Sequence, residues 1–243
     1  MVSVMVADIN VIIAKGAKQL NIDLPPEAGA AFRAYYDFLE NHGRKINLTT
    51  ISGAEDVAQL HFLDSLALLK TAAVFKSANV IDIGSGAGLP GIPLKIAEPS
   101  LKLTLLEATG KKVSFLSELC SELGIEASCK NVRAEEAAHT PEMRGQYDFA
   151  VARAVARLNI LCELCLPFVR IGGLFIAMKG IDSDDEVDEA KSAINLLGGE
   201  LQELFEYTLP CTAITRRAAL IEKTTETQRT FPRRFAKIQK SPL

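Results

Sequence analysis

From residue 79 onward, short apolar and β-branched runs alternate with longer stretches of helical period, whereas the N-terminal quarter shows helical period alone. In that quarter Met5, Ile9, Ile12, Ile13 and Leu20 fall on one helical face, and Pro25-Pro26 opens a second helix bearing Phe32, Tyr36 and Leu39, closed by Gly43. A polar turn, Asn47-Leu48-Thr49-Thr50, leads to a third helical stretch with Leu60, Leu63, Leu66, Leu68 and Leu69. Strands are expected at Asn79 to Ile83, Lys102 to Glu107, Glu126 to Asn131, Tyr147 to Ala152 and Leu174 to Met178. A helix with Val113, Leu116, Leu119 and Leu123 on one face follows the second strand and ends at Gly124. A cysteine-containing helix and the turn Gly172-Gly173 separate the last two. Ser183-Asp184-Asp185-Glu186 has the S-x-x-E form of a capping box for a further helix, whose acids between 182 and 189 read as a solvated first turn. Leu201 to Leu209 and Arg217 to Lys223 complete the pattern as an edge hairpin. Strands alternating with helices build parallel sheets from βαβ units. The expected architecture is a doubly wound, mostly parallel seven-stranded α/β sheet over residues 75–243, preceded by a helical extension over 1–74.

Composition narrows the class. The 243 residues are 48% apolar, enough for a sizeable core, and no stretch reaches the roughly 18 uncharged apolar residues of a membrane span. The first twenty residues lack the basic start and apolar run of a secretory leader. Five scattered cysteines, an odd count, fit reduced thiols and a cytoplasmic location. Cys162 and Cys165 form a C-x-x-C inside an apolar run with no second ligand pair, so small core residues are the simpler reading than a metal site; no metal is expected.

Charge is uneven. Residues 216–243 hold eight Lys or Arg and two Glu, a net +6, so the remainder of a chain at −3 overall carries −9. A basic tail on an acidic body predicts a local anion-binding surface, with Arg216, Arg217, Arg229, Arg233, Arg234, Lys237 and Lys240 as its candidates.

The densest candidate chemistry is the turn Asp82-Ile83-Gly84-Ser85-Gly86-Ala87-Gly88 between the first strand and its helix, where open α/β sheets bind ligands. Glycine lets backbone approach a ligand closely. Glu107 ends the second strand nineteen residues past Gly88, placed to accept hydrogen bonds from both hydroxyls of an adenosine ribose. S-adenosylmethionine is the best candidate ligand. Gly86, Gly88 and Gly91 also satisfy G-x-G-x-x-G, so a nicotinamide-dependent oxidoreductase and a non-catalytic adenosyl-binding module stay open. Against the oxidoreductase, His42, His61 and His139 are isolated and form no pair with an acid suited to hydride transfer.

DIGSGAGLPGIPLKI (82–96), with NLTT (47–50) and HFLDSL (61–66) before it and YDFAVARAVA (147–156) and MKG (178–180) after it, resembles the glucose-inhibited division protein B family of small-subunit ribosomal RNA guanine-N7 methyltransferases. The resemblance runs in order from about residue 30 to the C-terminus. It implies a class I methyltransferase fold of the Rossmann-like kind, S-adenosylmethionine as cofactor, and ribosomal RNA or the small ribosomal subunit as partner; for a small enzyme acting on a large RNA a monomer is the default expectation, and no membrane partner is expected. Position by position, it implies that Asp82, Gly84, Gly86, Gly88 and Leu89 belong to the cofactor turn and that Glu107 binds ribose. It likewise puts Ala134 and Glu135 beside adenine and Arg153 at the end of the fourth strand, facing the cofactor. Asn47, His61, Asp64 and Ser65 become candidates for placing the RNA, with helix capping and local backbone bonding as the competing role. The tail departs from the family in having Phe235-Ala236 where a glycine-containing turn is expected after the arginines.

The implied reaction explains the missing nucleophile and base. Guanine N7 presents an unprotonated lone pair, so in-line attack on a sulfonium methyl needs proximity, orientation and exclusion of water rather than a general base. A-form RNA hides its major groove, so the target base must be splayed out.

Overall fold

The computed structural model describes residues 8–46, 48–71, 75–153 and 155–243; Met5 and Asn47 lie outside them. Among the described residues the helices are α1 (Ile9–Gln19), α2 (Ala28–His42), α3 (Ala54–Val57), α4 (Asp64–Leu66), α5 (Gly91–Ala97), α6 (Gly110–Glu122), α7 (Ala134–Ala137), α8 (Leu158–Cys165), α9 (Asp184–Leu196) and α10 (Phe235–Lys240). The strands are β1 (Asn79–Ile83), β2 (Lys102–Glu107), β3 (Ala127–Asn131), β4 (Tyr147–Arg153), β5 (Val169–Gly180), β6 (Gly199–Thr208) and β7 (Thr215–Lys223). They form one sheet in the order β3-β2-β1-β4-β5-β7-β6, parallel except for β7, which runs antiparallel to both β5 and β6. The order reverses between β1 and β4, and a ligand crevice is expected at the carboxyl ends of those strands.

Both sheet faces are covered, and the strands show it residue by residue. Val80, Val151, Ile176 and Leu220 enter a core shared with α1, α2, α5 and α6. Their neighbours Ile81, Ala150, Ala152, Phe175, Ala177, Ala219 and Ile221 enter the opposite core with α8 and α9. Alternate side chains of a strand point to opposite faces, so strands covered on both sides read as unbroken apolar runs. The N-terminal helices therefore pack on the same face as α5 and α6, against the body of the sheet. Cys162 and Cys165 are buried on α8, within the second core.

Three local expectations are corrected. The third helical stretch is one continuous run in which Ala58–Leu63 forms a π-turn between α3 and α4, followed by a 3-10 turn at Ala67–Lys70. The wider turn buries Phe62 and Leu63 completely while Leu60, His61 and Asp64 reach a cavity. Gly172-Gly173 is no turn between elements. β5 passes through it, and the pairing jumps from Tyr147↔Val169 to Phe149↔Leu174, a bulge on β5. A Cβ on Gly173 would lie 2.6 Å from the Asp148 carbonyl oxygen, so only glycine fits this close pass. Finally, Ser183 makes no side-chain cap bond, and its buried Oγ has no partner among the described residues. Glu186 instead accepts from the Leu158 N–H and from Lys179 Nζ, tying α9 to the start of α8 and the end of β5. The acids of that turn act partly in the fold rather than only in solvent: Glu189 pairs with Arg157 and Asp184 with Arg217.

Candidate active site

The glycine turn is built by its own neighbours. Gly84, Gly86 and Gly88 have φ of 71°, 56° and 95°, the left-handed region that side chains avoid. The N–H groups of Gly84 and Ser85 donate to the Leu106 carbonyl, at 2.8 and 3.2 Å, so β2 holds the start of the turn. Its end is held by Asp82, whose Oδ2 accepts from Gly91 N–H at 2.9 Å. Tyr35 of α2 donates to the Ala87 carbonyl at 2.6 Å, and burial pushes its phenol pKa up, so it remains a neutral donor.

Around this turn lies a cavity of about 970 Å³, at the top of the size range of small-molecule sites. Glu107 stands at one end. Its carboxylate is nearly buried and accepts from Gly86 N–H at 3.2 Å and Thr109 N–H at 2.9 Å. Ionised oxygens each offer two lone pairs, so both can still accept a hydroxyl proton. Arg133, Ala134 and Glu135 close that end, together with Phe235 of the tail.

At the other end stands a polar cluster. Arg153, the last residue of β4, donates to the Leu60 carbonyl at 3.1 Å and pairs with Asp64 Oδ2 at 3.4 Å; its Nη2 lies 3.2 Å from His61 Nδ1. Tyr207 of β6 donates to Asp64 Oδ1 at 2.9 Å, and Thr49 Oγ1 meets His61 Nε2 at 2.9 Å. Burial, reinforced by the Arg153 charge, lowers the His61 pKa to about 4, so the ring is neutral at physiological pH. Burial raises the Asp64 pKa, and Arg153 opposes that rise. The cluster joins the π-turn, β4 and β6 around one wall.

The expected site residues divide accordingly. Gly84, Gly86, Leu89, Glu107, Ala134, Glu135, Arg153, His61 and Asp64 all line the cavity. Asp82 and Gly88 are not on its wall. Asp82 is wholly buried behind the turn, and burial pushes its pKa up to about 7; its Oδ1 has no partner among the described residues. Ser65 is also withdrawn, donating to the His61 carbonyl four residues back. Asn47 lies outside the described residues. In the tail, Arg216 lines the cavity. Arg217 is engaged by Asp184 at 2.8 Å and Glu206 at 3.3 Å, and Arg233 by the fully buried Glu163 through a two-pronged pair and a backbone bond. Among the described residues no hydrogen bond or ion pair holds the side chains of Arg229, Arg234, Lys237 or Lys240. Tyr207, Tyr35 and Phe235 escaped the sequence reading as site residues. Tyr207 meets Asp64 across 143 positions, and nothing in local spacing marks such a contact.

The GidB family, rRNA small subunit methyltransferase G, matches residues 29–215, more than three quarters of the chain. The chain belongs to this family. It is 42% identical over 233 residues to ribosomal RNA small subunit methyltransferase G of Alkaliphilus metalliredigens, covering 96% of this chain and 98% of the relative. It is 42% identical to the protein of that name from Pelotomaculum thermopropionicum, covering 95% and 97%. Among solved structures, a SAM-dependent O-methyltransferase of Thermotoga maritima superposes with a TM-score of 0.52 at 18% identity, over 80% of this chain and 72% of that one, a likeness of fold. The chain is thus an S-adenosylmethionine-dependent methyltransferase of small-subunit ribosomal RNA. Family membership sets aside the oxidoreductase and the non-catalytic module. No helix among the described residues is long and apolar enough to cross a membrane.

The cavity fits that cofactor. Glu107 offers acceptors for a ribose diol. Among the described residues a Cβ on Gly86 would meet nothing nearer than the Gly84 carbonyl at 3.8 Å, so the turn leaves space where a ligand can approach backbone. At the opposite end Arg153 lines the wall, ion-paired with Asp64.

Proposed function

We propose that this methyltransferase modifies N7 of a guanine in the small-subunit RNA, in the cavity between the glycine turn and the His61–Arg153–Asp64–Tyr207 cluster. The observation that carries the reading is the cavity's polarity: a carboxylate with acceptor capacity at one end and a hydrogen-bonded cluster around the Arg153–Asp64 pair at the other. When bound, S-adenosylmethionine supplies an electrophilic methyl group on a sulfonium sulfur. Glu107 would hold the ribose, Ala134 and Glu135 the adenine edge, and Gly84, Gly86 and Leu89 the span between. Asp82 and Gly88 act behind the wall by holding the turn in shape.

Guanine N7 needs no proton removed, so the residues near it have to orient and desolvate rather than act as a base. A neutral His61 suits this role, because it adds no charge beside the purine. Arg153 is set for the cofactor's carboxylate or an RNA phosphate and not for the ring: positive charge moves onto the purine during transfer, and a cation pressed against it would oppose that. Arg216 and the unpaired basic residues of the tail supply phosphate contacts. We propose residues 1–74 as an N-terminal extension, of which the π-turn contributes to the cavity wall. We further propose that the enzyme is a cytoplasmic monomer.

The test is transfer of labelled methyl from S-adenosylmethionine to small ribosomal subunits and to naked RNA, followed by nucleoside analysis. The expected product is 7-methylguanosine. Methylation at any other atom would refute the N7 assignment.

A further inference from the structure

A second cavity of about 610 Å³ adjoins the first and shares Arg133, Glu135 and Phe235 with it. Phe235, at the start of α10, is the partition: its half-buried ring takes part in the walls of both. The Arg133 guanidinium lies 5.9 Å from the centre of that ring. The remaining wall is mixed. Pro232 and Ala236 are apolar, Arg234 is exposed, and Glu136 and His139 come from the segment around α7. The position of this wall is enforced from within the chain, because His139 Nε2 meets the Pro232 carbonyl at 2.9 Å and Arg233, between Pro232 and Arg234, is clamped by Glu163.

We propose that this second cavity takes another nucleotide of the substrate RNA, unstacked and laid against Phe235, while the target guanine occupies the first. The inference rests on the RNA methyltransferase reading above and extends it to a strand-binding subsite. Three features favour a single-stranded nucleotide. An aromatic face flanked by a guanidinium is the usual platform for a splayed base. Arg234 supplies charge for its phosphate, and Glu136, which is not on the wall of the first cavity, can accept from an exocyclic amino group. The shared wall lies at the Glu107 end of the first cavity, so a strand whose guanine reaches the Arg153 end would run past the bound cofactor to lay a neighbouring nucleotide here. Phe235 thereby gains a role that its position in a basic tail does not suggest.

The test uses the full-length protein with Phe235→Leu, Phe235→Tyr and Arg234→Ala. Steady-state transfer to small ribosomal subunits and calorimetric binding of S-adenosylmethionine are measured for each. Quenching of a single-stranded oligoribonucleotide carrying the stacking-sensitive base 2-aminopurine is read separately. Leu keeps apolar bulk and removes the aromatic face. We expect it to raise the KM for subunits roughly ten-fold and abolish quenching, since stacking on one aromatic is worth about 1–3 kcal/mol. Tyr should restore both readouts, and Arg234→Ala should raise KM without touching cofactor affinity. The proposal is overturned if Phe235→Leu leaves KM and quenching as in the wild type, or if its whole effect lies in cofactor affinity, which would make the ring part of the adenine site. If the wild-type protein transfers no methyl to ribosomal RNA, the underlying reading fails instead, and the quenching experiment still reports whether the cavity stacks a base.

Discussion

The glycine turn and the C-terminal tail meet in one cavity, yet they are held in opposite ways. The turn is held over short range: Asp82 binds Gly91, and β2 binds Gly84, Ser85 and Gly86 through Leu106 and Glu107, all within 25 positions. The tail is tied down over long range. Arg144 donates to the carbonyls of Thr227, Gln228 and Phe231, 83 to 87 positions away; Glu163 clamps Arg233 and His139 meets Pro232. A locally built site shows in residue spacing. A site assembled from distant pieces leaves only its composition in the sequence, and composition does not say which basic residues anchor the segment and which face a partner.

The sharpest way to break this comparison is to remove the anchor. Arg233→Ala strands Glu163, which is 0% exposed, as an unpaired buried carboxylate. Losing one partner of a buried pair costs about 3–5 kcal/mol, and we expect urea unfolding to show a loss of that order. A loss below about 1 kcal/mol would mean that the tail is not anchored there. Deleting 229–243 would remove anchor and RNA charge together, so it cannot separate the two.

Next in size is a purely local lesion. Gly88→Ala puts a side chain at φ of 95°, with its Cβ 2.5 Å from Ile92 Cδ1 and 3.0 Å from the Tyr35 hydroxyl. Backbone strain and overpacking together cost roughly 2–4 kcal/mol. The turn shape should suffer with the fold, so calorimetry should show weakened S-adenosylmethionine binding although residue 88 is not on the cavity wall. Unaltered binding would show that the turn tolerates the shift.

The same contrast explains what was legible. Asp82 to Gly91, Glu107 and the strand alternation are local patterns; the strands they predict form the sheet, and the turn they mark lies against the cavity. The two-faced burial of β1, β4 and β5 left helix and strand distinguishable only by length and turn residues. Ser183-x-x-Glu186 looked like a capping box because spacing cannot show that Lys179 and the Leu158 N–H would compete for the same carboxylate. The π-turn was hidden as well, since an extra residue in a helical turn leaves the apolar period nearly intact. Arg217 and Arg233 read as two more basic tail residues, because Asp184 and Glu163 lie 33 and 70 positions away, although Glu206 faces Arg217 only 11 positions off across the β6–β7 hairpin.

A gentler probe of the turn uses pH. The folded Asp82 pKa is raised by burial to about 7, above its ordinary value of 3.8. Between these values the folded state holds the proton that the unfolded state has lost, so the contribution of this group falls as pH rises from about 4 to 7. Asp82→Asn should remove that decline. The stability difference between the Asp82→Asn variant and wild type should therefore shift in favour of the variant across that window and level off above about pH 7. Parallel profiles would place the Asp82 carboxylate in a far better solvated setting than the turn provides.

The smallest stability effect belongs to the outward charges of the tail, and it sharpens the comparison most directly. Arg234, Lys237 and Lys240 are exposed, and among the described residues none is held by a hydrogen bond or ion pair. Exposed substitutions of this kind usually change stability by less than about 0.5 kcal/mol, so the triple alanine variant should unfold nearly as the wild type does, unlike Arg233→Ala. Its RNA binding should differ. Each lost contact with a single-stranded phosphate lowers the slope of log affinity against log salt by about 0.7, so three contacts reduce it by roughly 2. If stability falls instead and the salt slope holds, then these residues anchor the tail, and the division between a clamped Arg233 and a free basic face is wrong.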